Sequence, residues 1–278
     1  MKQLIRKFLV NLRKVKVVSI PNKRCHRNDS ELVLAERLQN PIFLERYGYK
    51  VYSQNDEDGM IAEIFNRIGV TDKRFVEFGV QNGLESNAHF LIHGGWSGIW
   101  IDGDKKAVDQ LRLLFRKPIE SGRLLAMNAF ITMENINQLI GTAGNCRGEI
   151  DLLSIDIDGN DYWIWKSVDC INPRVVVIEY NAKFPPSFEW VMEYNGKHAW
   201  QGDDQQGASL KSLELLGVEK GYRLVGTNKN GVNAFFVRRD LAKNLFPEPA
   251  TAENLYNPAR WDMQYVSGHP TKKYIGKS

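Results

Sequence analysis

Between Arg74 and Asn181 the chain alternates between short apolar runs and segments of helical spacing. RFVEFGV, SGIWIDGD, GRLLAMNAFI, EIDLLSIDID and PRVVVIEYN read as strands, and SNAHFLIHGG, KKAVDQLRLLFRK, MENINQLIG and NDYWIWKSV between them as helices. Strands joined through helices pair in parallel, and a parallel sheet is covered on both faces, so its strands are apolar on both sides. The expected class is α/β, a Rossmann-like doubly wound, mostly parallel sheet. SLKSLELLGVEKG follows as a helix with Ser209 as N-cap, and YRLVGTNKNGVNAFFVRRD as two strands round a turn containing Asn230-Gly231. The sheet should therefore have seven strands and end in an antiparallel hairpin.

The flanks lack this rhythm. Residues 1–50 read as an N-terminal helical appendage, in which DSELVLAERL offers Asp29 or Ser30 as N-cap. Residues 51–245 form the domain, whose first helix starts near Asp56 and buries Ile61, Ile64, Phe65 and Ile68. Within it, residues 182–207 are rich in aromatics, Gly and Pro and have no period, as expected of a lid or binding loop. Residues 246–278 read as a C-terminal extension wrapping the surface.

Composition is that of an ordinary globular protein: 278 residues, 43% hydrophobic, 25% charged. A net charge of +4 permits an anionic partner without demanding nucleic acid, and no nucleic-acid partner is expected. Cys25, Cys146 and Cys170 form no CxxC pair and no zinc spacing, which suits free thiols in the cytoplasm. The first 18 residues carry six Lys or Arg and no acid, with Leu4, Ile5, Phe8, Leu9 and Leu12 at helical spacing. Charges break the apolar run, so it is no secretory signal. It reads as a helix packed on the domain or on a second subunit, making a homodimer. The alternative is peripheral contact with the inner face of a membrane.

One stretch asks for chemistry. In DLLSIDIDGND a buried-looking strand ends in Asp156, Asp158 and Asp161. An ionised carboxylate is costly to bury unpaired, so these belong at the strand's open end, where doubly wound sheets bind ligands. The first strand ends in FVEFGVQNGLESN; Gln81 and Leu84 break the dinucleotide pattern GxGxxG, but Gly79 and Gly83 let the backbone approach a ligand. Asp102 ends the second strand and could accept both hydroxyls of a ribose. Asn128 ends the third and could read an adenine edge.

Taken together, YSQNDEDG, FVEFGVQNGLESN, GWSGIWIDGD, LLSIDIDGNDYWIW, PRVVVIEYN and the closing hairpin resemble class I S-adenosylmethionine-dependent methyltransferases of the FkbM-type branch, over roughly residues 50–240. The resemblance implies S-adenosyl-L-methionine as cofactor. It puts Glu77, Gly79, Gly83, Ser86 and Asn87 round the methionine part, Asp102 on the ribose, Asn128 at the adenine, Asp156 at the reactive centre and Gln54 closing the site. Asp102 stands where the family commonly has Glu, and Asp104 shares the ribose assignment. The implied reaction is O-methylation of a carbohydrate acceptor of a surface glycan, of capsule or lipopolysaccharide type.

The aspartates admit other readings. Asp156 and Asp158 match the DxD of metal-dependent nucleotide-sugar glycosyltransferases, a motif too short to be specific. A calcium loop is excluded, because the sixth and twelfth positions from Asp156 hold Asp161 and Ser167. Asp158 or Asn160 could cap the next helix. Asp156 could take the acceptor's proton, with His198 as second candidate. Asp156, Asp158 and Glu179 could hold Mg2+. Trp200, Asp203 and Tyr180 are the expected acceptor contacts, since aromatic faces and carboxylates suit a sugar. His89 and His93 read as helix-surface residues. A scaffold without chemistry is the non-enzyme alternative.

Overall fold

In the computed structural model the described residues are 23–202 and 204–260, with side chains from residue 30 onward. The basic N-terminal stretch read as a helix, the Cys25 side chain and Asp203 lie outside them.

Seven strands are present: β1 Arg74–Phe78, β2 Ser97–Asp102, β3 Leu124–Asn128, β4 Gly148–Ile155, β5 Ile171–Glu179, β6 Tyr222–Thr227 and β7 Asn233–Arg238. They form one sheet in the order β3-β2-β1-β4-β5-β7-β6. β1 to β5 are parallel, and β7 runs antiparallel to both β5 and β6. The expected Rossmann-like, doubly wound sheet with its antiparallel hairpin is therefore what forms. Strand order reverses between β1 and β4, which opens a crevice at their carboxyl ends.

Alternation along each strand feeds two cores. Val76, Phe78, Ile99, Ile101, Ile155 and Ile178 enter one, with Trp165, Leu213 and Phe236. Phe75, Trp100, Leu152, Val175 and Val177 enter the other, with Met60, Ile64 and Phe235. Both faces are covered, as a parallel sheet requires.

Register fixes the site. Phe78 pairs with Ile101 and with Ile155, and Ile155 with Ile178. The next residues along these strands, Gly79, Asp102, Asp156 and Glu179, therefore share one row at the carboxyl edge.

The appendages are fastened to this edge. The first described helix runs Lys23–Gln39, starting before Asp29; no Gly or Pro interrupts Lys23 to Asp29, so the expected cap residues lie inside it. Its Arg37 Nη1 donates to Glu45 Oε1 at 3.1 Å and to the Tyr256 carbonyl at 3.2 Å. The described part of the extension, up to residue 260, is built in rather than laid on the surface: Tyr180 Oη donates to the Asn257 carbonyl at 2.5 Å, and Asn257 Nδ2 donates to Thr227 Oγ1 at 3.0 Å.

The helix Glu57–Ile68 starts at Asp56, as its acids predict. Asp58 Oδ2 accepts from the backbone N–H groups of Val51, Tyr52 and Ser53 at 2.7, 2.6 and 2.9 Å. Fully buried Glu57 gathers four donors: Asn55 N on Oε2, and the amides of Asn55, Asn228 and Asn233 on Oε1, all within 2.8–3.2 Å. This ties the segment before the helix to the β6–β7 turn. A glutamine there would turn an NH2 toward the Asn55 N–H. Glu57→Gln should therefore cost about 1–3 kcal/mol in urea denaturation, the penalty of an unmet buried polar group; an unchanged midpoint would mean that the network carries no stability.

Candidate functional site

Beside the row of strand ends lies a cavity of about 370 Å³. Its walls include Gln54 and Asn55, the β1 end with Glu77 and Gly79, Ser86 and Asn87, Asp156, Asp158, Glu179, Trp200, Gln206, and Asn230, Asn233 and Arg260.

Gly79 makes the closest approach. Its φ is +73°, and a Cβ there would stand 1.5 Å from the Asp156 carbonyl oxygen. No side chain fits between the loop leaving β1 and the end of β4. Gly83, at φ +79°, instead packs under Trp100 and Phe115, where a Cβ would come within 2.8–2.9 Å of either ring. Gln81 and Asp158 hold φ of +49° and +54° without being glycine. Both border the cavity, where such conformations tend to collect.

Glu77 pins the glycine loop. Its carboxylate accepts from Asn87 N at 2.7 Å, Ala88 N at 3.1 Å and Trp100 Nε1 at 2.7 Å. Burial pushes it up to about 7 while these donors pull it down. Asn87 Nδ2 donates to Ser154 Oγ at 3.1 Å, and Ser86 Oγ is buried with no hydrogen-bond partner.

The carboxylates at β4 and β5 are of a different kind. Burial lifts Asp156 well above the usual carboxylate range, and Asp158, Asp161, Glu57 and Glu77 lift it further, all of them negative. Glu179 is raised likewise by burial and then by Asp156, Asp161 and Asp158, with Lys183 opposing. Its Oε1 accepts from Gln206 Nε2 at 3.3 Å, and its Oε2 is buried and unpartnered. Carboxylates gathered this way, short of cations, are arranged to receive a cation or to hold a proton.

Asp161, not Asp158 or Asn160, secures the start of the helix Asp161–Ser167: it accepts from Ile157 N and Gly159 N, both at 2.9 Å. Burial pushes it up to about 6 against those two donors. Asn160 Nδ2 turns away to the Asn195 carbonyl at 2.8 Å. Oxygens of Asp156, Asp161 and Glu179 lie within 4.8 Å of one another, so the metal-competent trio contains Asp161, while Asp158 is exposed.

Of the other expected residues, Asp102, Asp104, Asn128 and His198 do not line the cavity, whereas Tyr180 and Trp200 do. Asp102 is buried, with Oδ2 accepting from Gln81 N and Oδ1 from Asp104 N, both at 2.7 Å. Asp104 caps the helix Lys105–Leu114 through Lys106 N and Ala107 N. Asn128 Nδ2 donates to the carbonyls of Asp102 and Gly103. His198 packs over Gly159, with Nε2 3.2 Å from the Asp158 carbonyl. Tyr180 borders the cavity but commits its hydroxyl to Asn257. Trp200 borders it at 49% exposure, which leaves ring surface for a ligand. His89 is buried, not on the surface, and stacks on Tyr52 at 3.9 Å between ring centroids.

The irregular segment is held in place. Gly207 N donates to the Gly159 carbonyl at 2.8 Å, and Trp163 Nε1 to the Met192 carbonyl at 2.7 Å. Asn55, Asn230 and Asn233 join the wall from stretches whose sequence pointed to no such role, and Lys183, Gln206 and Arg260 join it without any periodic or motif signal.

No family model and no curated protein matches the sequence. Among solved structures, the chain is similar to an O-methyltransferase from Bacillus cereus in complex with S-adenosylhomocysteine: 15% identity, TM-score 0.44, covering 81% of this chain and 94% of that one. It is also similar to an S-adenosylmethionine-dependent methyltransferase from Clostridium acetobutylicum, at 11% identity and TM-score 0.42, over 77% and 98% of the two chains. The chemistry has to come from the side chains of the site itself.

Two outcomes follow from the geometry. Gly79→Ala should lose about 3 kcal/mol or more of stability or displace Asp156, since it adds a steric overlap to a disfavoured φ; thermal denaturation at wild-type values would refute the close approach. Glu179 has a folded-state pKa above its unfolded one, so its ionisation penalises the fold as pH rises past the unfolded value of about 4.3. Glu179→Gln should therefore raise the melting temperature by a few degrees at neutral pH, with the gain vanishing near pH 4. A gain independent of pH would show that the carboxylate is not destabilised.

Proposed function

We propose that this chain is an S-adenosyl-L-methionine-dependent O-methyltransferase. The observation that carries the reading is the pair Asp156 and Glu179. These are desolvated carboxylates on adjacent central strands, pushed upward chiefly by burial and other carboxylates, beside a glycine loop that lets a ligand reach the backbone. A sulfonium cofactor brings the positive charge that such a place favours.

The residues present fit that group. Ser86 Oγ, Glu179 Oε2, Gln206 Oε1 and Asn233 Oδ1 are buried polar atoms without partners, and all four side chains border the cavity. Glu77 would hold the loop from Gly79 to Ala88 in shape, and Ser86, Asn87 and Gln54 would contact the methionine part. Asp102 would take the ribose by exchanging one of its backbone donors. When bound, the cofactor supplies an activated methyl group. Asp156 accepts the proton of the acceptor hydroxyl, a task suited to a carboxylate that burial and neighbouring acids make more basic than usual. Orientation of that hydroxyl falls to the wall of Asn230, Asn233 and Gln206.

The acceptor is a carbohydrate in this reading, supported by the half-exposed Trp200 ring beside amide side chains, an arrangement that stacks on a sugar and bonds its hydroxyls. The proximity of the Asp156, Asp161 and Glu179 oxygens supports a second component, in which Asp156 and Glu179 hold Mg2+ through hard oxygen donors. Asp161 already spends both oxygens on backbone N–H groups.

Saturating S-adenosylhomocysteine should raise the melting temperature of the wild type by linkage to the folded state. Asp156→Asn should fold and bind it, while turnover falls at least a hundredfold, the usual contribution of a general base. Wild-type turnover should rise with pH over a window displaced upward from the ordinary carboxylate range, because the base must be deprotonated. EDTA that abolishes turnover, with recovery in Mg2+, supports the metal component. A wild type that S-adenosylhomocysteine leaves unshifted overturns the whole reading.

A further inference from the structure

We propose that Arg260 recognises an anionic group, a carboxylate or phosphate, on the acceptor. This rests on the methyltransferase reading for what the acceptor is, but the anion site itself stands on its own geometry.

Arg260 borders the cavity, and its Nε and Nη2 are buried without a hydrogen-bond partner. These two atoms lie on one edge of the guanidinium, the edge that presents two parallel N–H groups to a carboxylate or phosphate. A guanidinium cannot shed its proton, so burial cannot neutralise it as it can a carboxylate. Arg260 is partly buried, and its enclosed edge favours an anionic partner. Among the described residues no acid lies within hydrogen-bond reach of Nε or Nη2.

The position of Arg260 is built. Its backbone N donates to the Asn230 carbonyl at 3.1 Å. Pro258 presses on the β6–β7 turn so closely that a Cβ at Gly231 would meet its carbonyl oxygen at 2.5 Å. Asn257, immediately before Pro258, is anchored to Thr227, Glu45 and Tyr180. The extension thus delivers one cation to a fixed place.

That place lies on the acceptor side. Of the residues assigned to the cofactor, Glu77 lies on β1, Gly79, Ser86 and Asn87 follow it, and Asp102 ends β2. Arg260 packs on the turn leading into β7, and strand order sets β4 and β5 between β1 and β7. Lys183 and Trp200, both from the segment after β5, border the same cavity. An acceptor held here would have its anion at Arg260 and its hydroxyl toward Asp156.

The full chain, saturated with S-adenosylhomocysteine, is titrated with D-glucuronate, D-glucose 1-phosphate, D-glucose and inorganic phosphate by calorimetry or ligand-detected NMR. At least one charged sugar should bind about tenfold or more tightly than glucose, the usual worth of a charge-assisted pair. Glucuronate against glucose 1-phosphate tells carboxylate from phosphate. Arg260→Gln should lose that tenfold while keeping S-adenosylhomocysteine affinity within about twofold and the melting temperature unchanged. Arg260→Lys should restore part of the binding, and it replaces the Gln variant should that fail to fold. Equal anion binding by wild type and Arg260→Gln overturns the proposal. So does a parallel loss of S-adenosylhomocysteine affinity, which would give the guanidinium to the cofactor's carboxylate. A wild type that binds no S-adenosylhomocysteine overturns the methyltransferase reading instead; the anion site is then decided by the phosphate titration of wild type against Arg260→Gln.

Discussion

The contact between the backbone leaving β1 and the carbonyl of Asp156 governs the rest of this site. At Gly79 the two chain segments are too close for any side chain. That approach, together with the pairing of Phe78 with Ile155 and of Ile155 with Ile178, sets Gly79, Asp156 and Glu179 side by side. The helices and both cores serve to hold this edge: they cover the two faces of the sheet and leave only its carboxyl end open. Glu77 then shapes the loop from beneath, at the cost of burying a carboxylate that three N–H donors only partly compensate.

Electrostatics at the edge are deliberately unbalanced. The largest influences on Asp156 are burial and four acids, and Glu179 has one opposing lysine. Left alone, such a cluster weakens the fold at neutral pH, which is the usual trade between stability and function. The same cluster attracts cations and retains protons, and either property would serve the proposed transfer of a methyl group from a sulfonium to a hydroxyl. Across the cavity Arg260 carries the opposite sign. The cavity is thus polar in a directional sense, acidic at β4 and β5 and basic at the extension.

The appendages complete the site rather than decorate it. Glu57 links the segment before its helix to the β6–β7 turn through three asparagines, and Asn257 links the extension to the same end of the sheet. Gln54, Asn55, Asn230 and Arg260 reach the cavity only because these distant segments converge. Each contributes through a single polar side chain, with no periodicity to betray it. The irregular segment behaves similarly. Its composition marked it as a binding loop, yet its backbone hydrogen bonds to Gly159 and Asn160 decide that Trp200 borders the cavity while His198 packs over Gly159 outside it.

What the sequence determined by itself was the sheet. Apolar runs such as DLLSI and RVVVI can satisfy their burial only between two layers, and the helices between them force parallel pairing, so class, strand number and the closing hairpin followed from periodicity. It also determined which end carries polar chemistry, because acids and glycines gather where the apolar runs of β1, β2 and β4 end. Tertiary structure alone decided which of those residues work together. Asp156, Asp158 and Asp161 are near-identical in local sequence context. Yet one borders the cavity lifted by its neighbours' charge, one is exposed at a strained φ, and one is spent on two backbone N–H groups. Burial and counter-charge set a carboxylate's chemistry, and both depend on neighbours that the chain brings from far away, such as Glu57, Glu179 and Lys183.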